Sequence, residues 1–130
     1  MKKLSLIVLG AFISCILVAQ TAAISFEKNA HDFQKIKEQD GLATVIFTFK
    51  NTGDAPLVIN RVQASCGCTT PTWTKEPILP QKTGTITVSY NPANRPGSFI
   101  KTISVFSNAD TQPATLTIKG EVIPKPAVER

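Results

Sequence analysis

The 130-residue chain has little of what enzymes of the common classes need. It holds one histidine, one tryptophan, one tyrosine and one methionine. A lone histidine, His31, excludes the paired-histidine motifs of zinc hydrolases. No acidic residue is clearly set to orient His31, so it reads as a surface or capping residue rather than a base. There is no G-x-S-x-G elbow, no glycine-rich phosphate loop and no C-x-x-C pair. No catalytic set emerges, and the expectation is that the protein is not an enzyme. Beyond residue 23 no stretch sustains a long apolar repeat of the helical period.

What is present begins at the N-terminus. Met1-Lys2-Lys3 precedes an apolar run from Leu4 to Ala19, and Thr21-Ala22-Ala23 supplies a small-x-small site. A basic start, an apolar stretch and small residues make residues 1–23 read as a secretory signal peptide, cut after Ala23. The run falls short of the roughly 20 residues a spanning helix needs, so no stable membrane span is expected. Cys15 raises a lipid anchor as the minor alternative. The segment Phe12-Ile13-Ser14-Cys15 fits it poorly, because a bulky Phe opens it and apolar residues continue past the cysteine. The expected location is therefore the periplasm or the extracellular space.

Without Lys2 and Lys3 the formal charge falls from +5 to +3, with 12 basic and 9 acidic residues of mixed order. Scattered charge of both signs describes a solvated surface, not a nucleic-acid patch.

From residue 24 onward the chain reads as strands. Leu42 to Phe49 alternates, with Val45, Phe47 and Phe49 facing one way and Thr44, Ile46 and Thr48 the other. Thr85 to Tyr90 alternates more cleanly. Ile103 and Val105 continue the pattern, as do Leu116, Ile118 and Val122, and Leu57 to Val62 is a further candidate. Weaker pieces lie near Ile24–Glu27 and His31–Ile36. Turn formers separate the runs at 51–56, 91–97 and 108–113. About seven short strands in about 100 residues predict an all-β, antiparallel immunoglobulin-like sandwich over residues 24–123, with a short tail at 124–130. A closed barrel is the structural alternative. The expected core is Phe47, Phe49, Ile86, Val88, Ile103, Val105, Leu116 and Ile118. Tyr90 is assigned to the sandwich, and Trp73 to packing or to a contact surface.

These residues carry a family likeness. Phe26-Glu27, His31-Asp32-Phe33, Phe49 to Leu57, Ser65-Cys66-Gly67-Cys68-Thr69-Thr70-Pro71, Pro80, Tyr90-Asn91-Pro92, Gly97, Ile103 to Val105, Ser107-Asn108 and Leu116 to Val122 follow in order. In them the chain resembles the bacterial domain of unknown function 1573. The resemblance implies an immunoglobulin-like sandwich, akin to domains of pilus chaperones and sperm-protein-like modules, and it implies export. It brings no established activity. Gln34 and Gln81 stand where the family has glycine, which predicts turns of positive φ that glutamine meets poorly.

Cys66 and Cys68 form the one chemical cluster after residue 23. In an exported protein, nearby thiols tend to be oxidised. An extended strand would place their Cα atoms about 6.6 Å apart, near the upper limit for a disulfide, and a tight turn at Gly67 would shorten that. Three readings stay open: a disulfide clip or other structural use, a soft-metal site for an ion such as Cu(I), and thiol redox chemistry. Four-coordinate zinc fits badly, since His31 is the only other His or Cys there.

Two functions follow. The first is an interaction or structural module of the cell envelope, binding an envelope protein through a sheet edge or the end loops. The alternative is a periplasmic thiol- or metal-handling protein built on the Cys66-Gly67-Cys68 loop.

Overall fold

In the computed structural model, residues 10–14 and 19–127 are described. Cys15 and most of the apolar N-terminal run lie outside the described residues. Eight strands follow in order: β1 (Ile24–Phe26), β2 (Ala30–Lys37), β3 (Ala43–Asn51), β4 (Ile59–Ala64), β5 (Thr69–Trp73), β6 (Thr83–Tyr90), β7 (Gly97–Ser107) and β8 (Ala114–Ile123). They form two four-stranded sheets, ordered β1-β3-β6-β5 and β2-β8-β7-β4. Two packed sheets with this order make an immunoglobulin-like sandwich rather than a closed barrel.

Strand alternation decides which residues fill the space between the sheets. All eight expected core residues are buried. Full burial of each contributes about 1.5–3 kcal/mol. In β3, Phe47 and Phe49 point inward and Val45 is half-buried, while Ile46 faces solvent. Two cross-strand pairs set a phenylalanine against a glycine: Phe49 opposite Gly84, and Phe99 opposite Gly120. A Cβ on Gly84 would stand 2.5 Å from Phe49 Cζ, and one on Gly120 would stand 2.9 Å from Phe99 Cε1. Each ring lies over the bare backbone opposite, an arrangement that compensates for glycine in a strand.

Three features differ from the sequence reading. There are eight strands rather than about seven, because Thr69–Trp73 forms β5. Pro71 speaks against a strand, but β5 is an edge strand, where a missing N–H is tolerated. The sandwich is not wholly antiparallel, since β2 runs parallel to β8 after the chain crosses between sheets at residues 27–29. Finally, β7 starts at Gly97, well before Ile103, and buries Phe99.

The two glutamines lie where the family likeness placed them. Gln34 has φ 59° in the bulge that interrupts β2, and its N–H donates to Asp32 Oδ1 at 2.7 Å. Gln81 has φ 67° in the turn before β6, and its N–H donates to the Asn51 carbonyl at 2.8 Å. Asn51 is itself buried, and its side chain satisfies the turn at 51–56. Its Nδ2 donates to the carbonyls of Ala55 and Ile78, and its Oδ1 accepts from the Gly53 N–H. A buried amide with its polar atoms paired fixes a turn while its hydrogen bonds offset the cost of desolvation.

Candidate functional site: the cysteine turn and the open strand edge

The cysteine pair lies in the connection from β4 to β5, where the chain passes from one sheet to the other. The turn is tied down on both sides. Ser65 N–H donates to the Thr102 carbonyl of β7 at 2.9 Å, and Asn91 N–H donates to the Cys68 carbonyl at 2.9 Å. Cys66 and Cys68 are joined as a disulfide, with Cα atoms 5.3 Å apart. That is shorter than an extended strand allows, so the turn does the closing. Cys68 is buried in the core, whereas Cys66 is half-buried. The Thr69 hydroxyl stands against both sulfurs, 3.9 Å from Cys66 Sγ and 3.7 Å from Cys68 Sγ. Cys68 N–H points at Cys66 Sγ at 3.3 Å.

Gly67 does not play the part assigned to it. Its φ is not in the left-handed region, and an added Cβ would meet nothing within 4 Å. The turn therefore tolerates a side chain there. What glycine leaves is open space at position 67 itself.

His31 is not brought to this turn. It lies on β2, at the opposite edge of its sheet from β4, with β8 and β7 between them. Its ring packs edge-on against Phe33, with centroids 4.6 Å apart. Among the described residues no group of three or more His, Cys, Asp or Glu is gathered to hold a metal ion. Trp73, at the end of β5, packs against the core and carries Lys75 Nζ over its ring at 3.0 Å. Tyr90 is buried and stacks on Phe99, with centroids 4.0 Å apart. Burial pushes its phenol above the ordinary value, and the nearby Arg95 charge pulls it partly back.

A second feature escaped the sequence reading, which left the choice of sheet edge open. β1 is only three residues long and pairs with β3 at Phe49–Asn51. The Glu27 N–H extends this ladder to the Thr48 carbonyl and there it stops. In an antiparallel ladder, alternate residues direct both N–H and C=O to the same side. The backbone groups of Thr44 and Ile46 thus face the side away from β6, where the described residues place no strand. Ile46 is 61% exposed and neighbouring Leu42 63%. Beside this edge lies a cleft of about 180 Å³, lined by Glu27, His31, Val45, Ile46 and Thr48 among others.

The edges at β5, β2 and β4 are guarded. β5 carries Pro71, β2 carries its bulge and two lysines, and β4 has a register shift next to Arg61, whose guanidinium lies over the Phe106 ring at 4.2 Å. Proline, bulges and edge charges are the usual means of preventing stray strand pairing. The Ala43–Thr48 stretch has none of them.

Fold and site define an immunoglobulin-like all-β module with a disulfide-closed turn and, among the described residues, an unguarded stretch of β3 edge. The family model described as protein of unknown function (DUF1573) matches residues 24–122, and the chain belongs to that family. No curated protein matches it. Among solved structures it is similar to a protein of unknown function from Porphyromonas gingivalis W83, at 19% identity and a TM-score of 0.69, covering 85% of this chain and 51% of that one. It is also similar to a family 123 glycoside hydrolase from Clostridium perfringens, at 12% identity and TM-score 0.59, covering 83% and 28%. The YadV chaperone matches at 16% identity and TM-score 0.51, covering 82% and 54%. The chain thus spans about half or less of each of these proteins, and at such identities the likeness is one of fold alone. Among the described residues no helix is long and apolar enough to cross a membrane.

Proposed function

We infer that this is an exported, non-enzymatic module of the cell envelope that binds a partner protein by strand addition at the edge of β3. The observation that carries this reading is the Thr44–Ile46 edge, uncharged and unpaired among the described residues, beside a cleft, in a sandwich whose β2, β4 and β5 edges carry a bulge, a register shift or a proline. Strand addition takes its affinity from main-chain hydrogen bonds and its specificity from alternate side chains that enter pockets. The fitting partner segment is extended and uncharged, with an apolar residue directed toward Val45. Export is supported by the pattern of residues 1–23. A photoreactive residue at Thr44 or Ile46, introduced in cells, should crosslink a discrete envelope protein, and the same probe at Gln63 on β4 should not. Equal crosslinking from both edges would refute the assignment.

The cysteine turn supports a second reading, thiol or soft-metal handling. Its basis is a half-buried Cys66 with open space over Gly67. Once reduced, the pair would offer two thiolates to an ion such as Cu(I), or a nucleophile to a partner disulfide. Thiol titration with and without reductant, followed by metal analysis of anaerobically purified protein, separates the readings. Stoichiometric copper, or full reduction by mild thiols, would favour the second.

A further inference from the structure

The small-x-small rule puts the leader cut after Ala23, yet the segment it would remove is built into the fold. Ala22 is 7% exposed and belongs to the core cluster. Thr21 and Asp54 are doubly joined: Thr21 N–H donates to Asp54 Oδ1 at 2.7 Å, and Asp54 N–H donates to the Thr21 carbonyl at 3.0 Å. Thr52 N–H donates to the Ala23 carbonyl at 2.9 Å, and Ala23 N–H donates to Asn51 Oδ1 at 3.3 Å. Gly53 lies directly beneath this segment. A Cβ there would overlap the Thr21 carbonyl and stand 2.6 Å from Ala23 N and 2.8 Å from Ala22 C. The turn at 51–56 therefore has two features that engage residues 21–23: a glycine where backbone crosses backbone, and an Asp54 carboxylate paired to a main-chain amide.

We propose that Thr21-Ala22-Ala23 is the first segment of the mature domain, and that leader removal falls upstream of it, at the Ala19–Gln20 bond. Both residues of that bond are exposed and lie outside the docked segment. Ala19 closes the apolar run and supplies the small residue next to the cut, while Leu17 takes the position two before it, so the small-x-small pattern is met at one of its two places. A chain starting at Ile24 would leave Asp54 Oδ1 and the Thr52 N–H without these partners and would strip Ala22 from the core. The placement of the cut rests on the export reading; the docking of residues 21–23 does not.

Two measurements test it. The first is the intact mass of the protein recovered from its own envelope fraction. A start at Gln20 is expected. A start at Ile24 overturns the inference and leaves export standing, whereas an intact Met1 overturns export and the cut with it. The second compares chains beginning at Gln20 and at Ile24, both of which keep all eight strands, each with and without Gly53→Ala. In the longer chain the substitution should lower the Tm by about 5–10 °C, the scale of a 1–2 kcal/mol loss in a domain of this size. In the shorter chain, with nothing crossing above Gly53, it should have almost no effect. The shorter chain should itself melt below the longer one. Equal sensitivity to Gly53→Ala in the two backgrounds would show that residues 21–23 do not dock.

Discussion

The open edge of β3 and the Cys66–Cys68 turn flank the same end of β6, one on each side of it, and they differ in kind. The β3 edge is regular structure left unfinished: strand geometry, exposed apolar side chains and backbone groups with no neighbouring strand among the described residues. The cysteine turn is irregular structure fully tied in, with both flanks hydrogen-bonded and one sulfur in the core. Between them lies β6, paired on one side with β3 and on the other with β5. Its inward residues Gly84, Ile86, Val88 and Tyr90 are all buried. The contrast teaches that stability resides in the shared strand, which leaves both peripheral features free for other uses.

The largest effect should come from β6 itself. Val88→Asp places an unpaired charge in the apolar core and should unfold a domain that holds only about 5–15 kcal/mol in total. Ser89→Asp, one residue along, faces the other way and should be tolerated. Far-UV and near-UV circular dichroism of the two proteins checks this, and equal damage would mean the register is wrong. Next comes Gly84→Ala, which drives a methyl group into the Phe49 ring and should cost about 1–3 kcal/mol in urea unfolding. A cost near zero would mean that the ring has room to move.

The cysteine turn should matter less to folding. A bond between residues two apart closes almost no loop, so Cys66→Ser/Cys68→Ser should lose about 1–2 kcal/mol. A loss above roughly 3 kcal/mol, measured on metal-free protein, would make the pair a structural staple and erase the contrast drawn above. Smaller still, and opposite in sign, are the two left-handed glutamines. Gln34→Gly and Gln81→Gly should each gain up to about 1 kcal/mol by relieving positive φ. Denaturant midpoints that fall instead would show that the side chains contribute more than the strain costs.

Legibility followed the same division. Strands with clean alternation, from Val45 to Phe49 and from Thr85 to Tyr90, were readable because a period of two has one physical meaning when one face is buried. The positive φ at Gln34 and Gln81 was readable only through the family likeness, since glutamine itself signals no turn. β5 was hidden because Pro71 speaks against a strand unless its edge position is known, and that position is a tertiary fact. The open edge was hidden for a similar reason. Nothing in Ala43–Thr48 reports that β1 stops after three residues and crosses to the other sheet. The cysteine pair was visible as chemistry, but its depth, with Cys68 buried and Cys66 half-buried, needed the fold.

Capture from the envelope decides whether function lies on the β3 edge. Wild type, Ile46→Lys and Cys66→Ser/Cys68→Ser are used as bait in parallel, after circular dichroism has shown that all three are folded. A lysine on an exposed edge position blocks strand addition without touching the core. Wild type and the cysteine double variant should recover the same protein in similar yield, and Ile46→Lys should lose it by about tenfold or more, equivalent to about 1.4 kcal/mol of binding. Full recovery by Ile46→Lys, or loss confined to the cysteine variant, would contradict the account and move the function to the cysteine turn.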